Sequence, residues 1–191
     1  MKKSLVLMVV LTIILAASWG TATFRDVAKS EGNTISTGEF NIKISKSGER
    51  FYDDLRLFTV KALKPGDETT ITFYVKNQGD IPVSRIIMNI TVQDIENKMS
   101  PAEKEVDNTP DVGELSKHLR ITSFLAGNTR LPEVEGKTLA EIRGRPITIF
   151  SGRLEEEEIL KVIIKVKLDE NAGNECQTDS VNVDIKLIAE Q

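Results

Sequence analysis

The side chains that most often carry out chemistry in proteins are scarce in this chain. It has 191 residues but a single histidine, His118, and a single cysteine, Cys176. A histidine-rich zinc site and the HExxH motif, which needs two histidines, are therefore excluded, and no intrachain disulfide bond can form. We predict that His118 is a surface or half-buried structural residue. Cys176 is predicted to be a buried, inert thiol, with an intermolecular disulfide bond as the alternative.

Acidic residues outnumber basic residues in this chain. The chain contains 29 Asp and Glu residues against 25 Lys and Arg residues, which gives a formal net charge of −4. An acidic chain with only 5% aromatic residues lacks the basic surface and the stacking side chains with which proteins bind nucleic acids. The Walker A, GxSxG, GxGxxG, aspartic-protease and EF-hand motifs are also absent. We therefore predict no catalytic residues, no enzyme activity and no nucleic acid as the main partner.

Two acidic segments have the oxygen ligands that a divalent cation prefers. Residues 169–175 (DENAGNE) offer several such groups in one loop, and residues 155–158 are four consecutive glutamates. A polar turn between strands is the favoured interpretation of the first segment, and a solvated loop is favoured for the second. The alternatives are a calcium loop and a cation shared between neighbouring subunits. We therefore predict no metal site and no cofactor, with calcium between subunits as the alternative.

The N-terminus follows the three-part pattern of a secretory signal peptide. Two lysines near the start precede an apolar stretch, residues 5–17, which is followed by small residues. The pattern predicts a signal peptide over residues 1–22, cleaved after Ala22 or after Thr23. A retained membrane anchor is the alternative, because no charged residue lies between the lysines and Arg25. We expect membrane contact only in the precursor, and a mature chain that is secreted or held at the cell surface.

Apolar and polar residues alternate with a period of two in several parts of the chain, as they do in strands with one buried and one solvated face. The alternating stretches are residues 40–44, 71–75, 86–92, 160–168 and 181–187. Clusters of Pro, Gly, Asn and Asp separate them, at residues 64–67, 77–80 and 171–174, and these residue types favour tight turns. Many strands joined by short turns predict an all-β antiparallel sandwich that resembles a jelly roll.

The middle of the chain differs in pattern from its two ends. Residues 93–157 lose the alternation, and we interpret them as a partly helical insertion between sandwich strands. Short helices are predicted at 111–118 and 138–143, with a further strand at 146–150. Outside this region, Asn89 begins an Asn-Ile-Thr sequon on the polar face of its strand, so it is a candidate glycosylation site.

Short motifs occur in order at both ends of the chain. They are Phe-Arg-Asp at 24–26, Asn-Thr-Ile-Ser-Thr-Gly at 33–38, Leu-Lys-Pro-Gly-Asp at 63–67 and Gly-Asn-Glu-Cys-Gln at 173–177. In combination they resemble the TasA/camelysin family of secreted proteins, which are processed by a SipW-type signal peptidase. The resemblance covers roughly residues 18–95 and 158–191, and Cys176 stands where an aromatic residue is expected.

The resemblance implies a subunit of an extracellular filament, such as a biofilm matrix fibre. In such a filament the freed N-terminal segment of one subunit, here residues 23–32, adds as a β-strand to a jelly-roll domain of the next, here residues 33–191. An added strand satisfies the unpaired backbone groups of an open sheet edge, and a head-to-tail contact that does not close grows a fibre. The partners implied are other copies of the chain and the signal peptidase. The residues expected in the donor strand and at the subunit interface are Thr23, Phe24, Arg25, Asp26, Val27, Ala28, Lys29 and Ser30.

Two other functions are considered as alternatives. The camelysin name implies a secreted metallopeptidase that cleaves casein, although one histidine provides no recognisable zinc site. A metal held by carboxylates alone is a poor zinc-peptidase site. The second alternative is a surface adhesin or filament cap, with residues 93–157 as its binding face.

Overall fold

The structure of the chain is a computed structural model. The predicted signal peptide and its cleavage site lie outside the residues that this structure describes. Within the described part of the chain, no helix has the length and apolar character needed to cross a membrane. The described residues are 25–27, 39–53, 58–61, 63–109 and 112–191.

The described residues form two antiparallel sheets that pack face to face as a sandwich. The first sheet contains β1 (Arg25–Val27), β3 (Phe58–Lys61), β5 (Val83–Ile95), β8 (Pro146–Leu154) and β10 (Ser180–Glu190). The second contains β2 (Ile42–Ser45), β4 (Glu68–Asn77), β6 (Leu119–Ala126), β7 (Thr129–Arg130) and β9 (Ile159–Leu168). The predicted fold class, an all-β antiparallel sandwich, is confirmed.

The order of strands follows from the pairing of distant segments. The first sheet has the order β1-β10-β5-β8, and β3 also pairs with β10; the second has the order β2-β4-β9-β6-β7. The five alternating stretches of the sequence correspond to β2, β4, β5, β9 and β10. The turn before β4 contains Gly66 at φ +89°, a conformation that residues with a Cβ atom rarely adopt, and the Asp67 amide donates to the Lys64 carbonyl oxygen at 2.9 Å.

A single apolar core fills the space between the sheets. The largest side chains in it are Phe73 of β4 and Phe124 of β6, both completely buried. Met88 of β5 is also completely buried, and Leu187 of β10 belongs to the same cluster. Burying side chains of this size stabilises the fold by about 1.5–3 kcal/mol each. Since the chain has no disulfide bond, this packing is the main source of its stability.

Residues 93–157 do not stand outside the sandwich as an insertion, because they supply β6, β7 and β8 to its two sheets. The predicted strand at 146–150 lies in β8. β6 was not predicted because a register shift against β9 between Ile121 and Ser123 breaks the period-two pattern. The two predicted helices are single turns, α1 (Leu115–His118) and α2 (Leu139–Ile142). α2 begins with a capping box, in which the Glu141 amide donates to the Thr138 hydroxyl at 3.2 Å.

Candidate functional site

The last strand, β10, has a candidate binding site at each of its two ends. On one side it pairs with β5 along its whole length, from Ser180 opposite Ile95 to Glu190 opposite Arg85. On the other side it pairs with two short strands, β3 at its beginning and β1 at its end. We call this second side of β10 the β10 edge.

The N-terminal segment lies on the β10 edge. Arg25, Asp26 and Val27 of β1 stand opposite Glu190, Ala189 and Ile188 in antiparallel register. The segment that was predicted to donate a strand to a neighbouring subunit therefore pairs, over three residues, with the last strand of its own chain. The other predicted donor residues, Thr23, Phe24, Ala28, Lys29 and Ser30, lie outside the described residues.

The end of β10 is held firmly against β5. The carboxylate of Glu190 is buried, and its Oε2 atom accepts a hydrogen bond from Arg85 Nε at 2.6 Å. The Ser84 hydroxyl donates to the backbone oxygen of Glu190 at 3.1 Å. A charge-assisted bond to a buried carboxylate fixes a side chain more strongly than a neutral bond does. The β10 edge is therefore presented by a strand of fixed register.

The beginning of β10 carries three carboxylates in close proximity. Glu96 directly follows β5, Glu114 directly precedes α1, and Asp179 directly precedes β10. One carboxylate oxygen from each lies within 4.8 Å of those from the other two. Asp179 and Glu114 are only 3% and 8% exposed, whereas Glu96 is half-buried. We call these three residues the carboxylate cluster.

The cluster is poorly supplied with hydrogen-bond donors. Asp179 Oδ2 accepts from the Glu114 amide at 2.6 Å, but Asp179 Oδ1, Glu114 Oε2 and both carboxylate oxygens of Glu96 are buried without a hydrogen-bond partner. The Thr109 hydroxyl lies 2.5 Å from Glu114 Oε1 and 2.7 Å from Asp107 Oδ1. The hydroxyl group has a single proton and can donate it to only one carboxylate at a time. The other carboxylate then receives no hydrogen bond from this hydroxyl.

Burial and mutual repulsion oppose ionisation of the cluster. The pKa of Glu96 is raised to about 7, first by desolvation and then by the negative charges of Asp179 and Glu103. The pKa of Asp179 is also raised, chiefly by burial, and the hydrogen bond from the Glu114 amide opposes that shift. In the absence of a cation, a proton on Glu96 that is donated towards Asp179 relieves part of this repulsion.

Contacts around the cluster fix the positions of its three segments. Ser116 of α1 donates from its amide at 2.7 Å and from its hydroxyl at 2.6 Å to the carboxylate of Asp94 in β5. Gly113 packs so closely that a Cβ atom there would lie 3.1 Å from both the Glu96 amide nitrogen and Asp179 Oδ2. The loop before α1 is thus pressed against the ends of β5 and β10, so the three segments that carry the carboxylates are held close together.

The other residues singled out in the sequence lie elsewhere. His118 has a half-buried side chain with Nε2 3.5 Å from Glu175 Oε1. Cys176 is buried, and burial, together with the charges of Glu175 and Asp179, raises its thiol pKa to about 11, so it is a weak nucleophile. Asn89 lies in β5 opposite Lys186 and is partly exposed, and its glycosylation stays a prediction.

The two acidic segments singled out in the sequence are occupied by local contacts. In the loop 169–175, Asp169 Oδ1 accepts from the Asn171 amide at 3.0 Å, and Glu175 Oε1 accepts from the Gly173 amide at 3.2 Å. In the segment 155–158, Glu158 Oε2 accepts from the Glu155 amide at 2.7 Å. These are the contacts of polar turns, and a calcium loop at 169–175 or a cation shared between subunits at 155–158 stays an untested alternative.

Sequence reasoning did not identify the carboxylate cluster. Its members are 18 and 65 residues apart along the chain, and no local motif joins them. Each has ordinary neighbours in the sequence, so nothing distinguishes it from the other acidic residues. They meet only because β10 pairs with β5 and the loop before α1 packs across the ends of both strands.

The fold and the site define the class of this protein: an antiparallel β-sandwich whose N-terminal strand occupies an edge beside the last strand. The sequence model of the camelysin metallo-endopeptidase family matches residues 1–191. The chain therefore belongs to this family, which is extracellular or located at the cell surface. The resemblance to the TasA/camelysin family is thereby confirmed.

Comparison with individual proteins adds little. No curated protein matches the chain. Among solved structures, it is similar to a family 123 glycoside hydrolase from Clostridium perfringens, from a structural analysis of glycolipid glycan hydrolysis. The two are 13% identical over 56% of this chain and 16% of the hydrolase, with a TM-score of 0.26. A likeness at this level carries no argument about fold or function.

Proposed function

We propose that this protein is the structural subunit of an extracellular filament, which grows when the N-terminal segment of one copy adds as a strand to the β10 edge of another. The observation that carries the proposal is the pairing of Arg25–Val27 with Ile188–Glu190 of β10. An edge that accepts this segment within one chain offers the same backbone groups to the segment of a neighbour. Exchange of an identical element between copies is a low-cost route to association.

The pairing within one chain is short enough to exchange. It involves three residue pairs, and cross-strand pairs contribute about 0.2–1 kcal/mol each. By contrast, β10 pairs with β5 over eleven positions. β1 can therefore leave the β10 edge without disturbing the rest of the first sheet, and an identical segment from another copy can take its place.

The connection after β1 is long enough to allow the exchange. Residues 28–41 join β1 in the first sheet to β2 in the second, a connection of fourteen residues. A chain of that length spans up to about 50 Å when it is extended, several times the spacing of about 10 Å between packed sheets. β1 can thus reach a neighbouring copy while β2 stays paired with β4.

A pair of cysteines placed across the β10 edge distinguishes pairing within a chain from pairing between chains. Asp26→Cys and Ala189→Cys introduce thiols at directly opposite positions, in a Cys176→Ala background that removes the native thiol. We expect oxidation of the monomer to close the pair within one chain and prevent fibre growth. Oxidation of fibres that assembled under reducing conditions should instead give a ladder of covalent multimers on a non-reducing denaturing gel.

The matched control moves one cysteine out of register. Asp26→Cys with Lys186→Cys separates the two positions along β10 by three residues, about 10 Å, which is beyond the reach of a disulfide bond. This variant should form fibres but no ladder. Fibres of the Asp26→Cys/Ala189→Cys variant that yield only intramolecular disulfides, or an equal ladder from the control, would show that the N-terminal strand does not pass between subunits.

The family description raises the second function, a metallopeptidase. We propose that the chain is not one, because among the described residues the group that can gather around a metal consists of carboxylates only. Peptidase zinc sites rely on histidine nitrogen ligands. The test is a casein-cleavage assay with purified protein in the presence of Zn²⁺. Cleavage that is abolished by Asp179→Asn and kept by Glu156→Gln would refute this proposal and assign a peptidase site to the cluster.

The third function, an adhesin or filament cap, predicts protein that stays monomeric. Residues 93–157 were expected to form its binding face, yet they supply β6, β7 and β8 to the two sheets. Negative-stain electron microscopy of concentrated mature protein separates the two functions. Fibres favour a subunit, and monomers under all conditions favour a cap or an adhesin.

A further inference from the structure

We propose that Glu96, Glu114 and Asp179 bind a calcium ion that joins the end of β5, the start of α1 and the start of β10. This departs from the expectation of no metal, and it places the ion within one chain instead of between subunits. The proposal does not depend on filament formation, because all three ligands belong to the same subunit.

The spacing of the carboxylate oxygen atoms fits a calcium ion. One carboxylate oxygen of each residue lies within 4.8 Å of the other two. Calcium binds oxygen at 2.3–2.6 Å, so opposite ligands of one ion are about 4.6–5.2 Å apart. The three oxygens can therefore contact a single calcium ion with little change in position. Zinc prefers nitrogen and sulfur ligands, and magnesium demands a more regular octahedral site.

One buried carboxylate oxygen of the cluster receives no hydrogen bond from any amide, hydroxyl or basic group of the described residues. Asp179 is 3% exposed, and its Oδ1 atom has no hydrogen-bond donor. A buried, ionised carboxylate with an oxygen that lacks a donor is disfavoured, yet the hydrogen bond from the Glu114 amide to Oδ2 holds this side chain within the cluster. Both carboxylate oxygens of Glu96 are likewise buried without a donor. A cation at the centre satisfies these oxygens together.

The negative charge of the cluster is not neutralised by the nearby lysine, Lys117. Lys117 Nζ lies 4.0 Å from Glu114 Oε1, and its side chain is 61% exposed. That distance is too long for a hydrogen bond, and the lysine approaches the oxygen that already has Thr109 as a partner. Asp107, whose Oδ2 is also buried without a donor, adds a further negative charge nearby. The net charge of the site therefore favours a divalent cation.

Calcium bound at this site would stabilise the position of β10 in the sandwich. Asp179 of the carboxylate cluster directly precedes β10, and β1 pairs with the last three residues of the same strand. A cation that ties the start of β10 to β5 and α1 removes a repulsion that pushes these segments apart. Calcium should therefore stabilise the sandwich itself, in the monomer as well as in any assembly.

The test is calcium binding by the monomeric mature chain after removal of metals with a chelator. Isothermal titration calorimetry with CaCl₂ should give one saturable site with a dissociation constant of about 1 mM or tighter, in the range of extracellular calcium modules. Circular dichroism should show a melting temperature about 5 °C higher in excess calcium than in chelator, because a ligand that binds only the folded state stabilises it.

Single amide substitutions identify the ligands. Glu96→Gln and Asp179→Asn keep the shape of each side chain and remove its charge, and each should weaken calcium binding at least tenfold. Glu96→Gln should also melt at a higher temperature than the unsubstituted chain in chelator, since it removes a buried repulsion. The matched control is Glu156→Gln, the same change at an exposed residue, and it should bind calcium like the unsubstituted chain.

Four outcomes would overturn the proposal. They are the absence of a calcium effect on the unsubstituted chain, unchanged calcium binding by Glu96→Gln and Asp179→Asn, an equal loss of binding in Glu156→Gln, and an equal shift of the melting temperature by Mg²⁺. The last result would indicate general screening of charge. Because monomers are used throughout, failure of this test leaves the proposed filament function untouched, and absence of fibres leaves the calcium site untouched.

Discussion

Glu103 accepts a hydrogen bond of 2.7 Å from the hydroxyl group of Thr178, a residue 75 positions further along the chain. The same carboxylate accepts from the Ser100 amide at 2.9 Å and from the Thr178 amide at 3.2 Å, and Glu103 is completely buried. A short 3₁₀ turn at Glu103–Glu105 positions it. This one side chain therefore joins the segment after β5 to the segment before β10.

Removal of that carboxylate should be costly. We expect Glu103→Ala to lower the free energy of unfolding by about 2 kcal/mol or more, because three donors lose a charged acceptor in a buried setting. Lys104→Ala, an adjacent exposed residue, is the control and should change it by less than about 0.5 kcal/mol. Urea denaturation followed by circular dichroism measures both. Equal stabilities for the two variants would contradict the role assigned to Glu103.

The raised pKa of Glu96 predicts how stability depends on pH in the absence of calcium. Its folded pKa is about 7 and its ordinary value is 4.5, so the folded state binds this proton more tightly than the unfolded state. Its contribution is complete below about pH 4.5 and is lost as the pH rises through 7. Stability in chelator should therefore fall between pH 5 and pH 8.

The control for this pH dependence is Glu96→Gln. An amide does not titrate, so the decline between pH 5 and pH 8 should be shallower in the variant. Carboxylates with lowered pKa values, such as Glu141 and Asp169, contribute stability that is lost only at lower pH. Identical slopes for the two chains, measured by urea denaturation across this range, would contradict the assignment.

Deletion of residues 24–30 should separate folding from assembly. The chain loses the three residue pairs of β1 but keeps the core of the sandwich, so we expect a folded, soluble monomer that no longer forms fibres. A synthetic peptide of residues 23–32 should bind this monomer and raise its melting temperature by mass action. Electron microscopy and thermal melts give the two readouts. Normal polymerisation of the deleted chain would mean that surface contacts hold the filament together.

Gly79 is predicted to be irreplaceable for a steric reason. A Cβ atom there would lie 1.9 Å from the backbone oxygen of Glu39 and 2.7 Å from the Asn41 nitrogen, so Gly79→Ala must displace the backbone that leads into β2. We expect a loss of about 3 kcal/mol or more. Gly136 has a φ of +80° but no atom within 4 Å of such a Cβ, so Gly136→Ala should lose only about 1–2 kcal/mol. Thermal or urea unfolding of both variants would reveal any reversal of this order.

The sequence predicted those parts of the fold that local patterns determine. The alternation at 160–168 corresponds to β9 and that at 181–187 lies within β10, because one buried face imposes a period of two. β6 was missed because its register shift between Ile121 and Ser123 moves the apolar positions from one phase to the other. β3 contains only four residues, too few for a period to be recognised.

The candidate sites were predictable to different degrees. The segment around Asp26 was recognised from motifs near the predicted cleavage site, although its pairing with Ala189 of the same chain was not expected. The cluster of Glu96, Glu114 and Asp179 was not predictable, since no local pattern records which distant carboxylates will be buried together. Its existence depends on long-range packing, in particular on the absence of a side chain at Gly113.

The position of β10 in the first sheet also has a consequence for the order in which the protein is made and folds. β10 lies between β5 and the pair β1 and β3, and all of its partners precede it in the chain. Among the described residues, the second sheet has all its strands once β9 has been synthesised, but the first sheet stays divided until β10 is made. A chain that has been made only as far as β9 therefore cannot close its sandwich. Completion of the first sheet must wait for β10, the strand that joins β5 to β1 and β3.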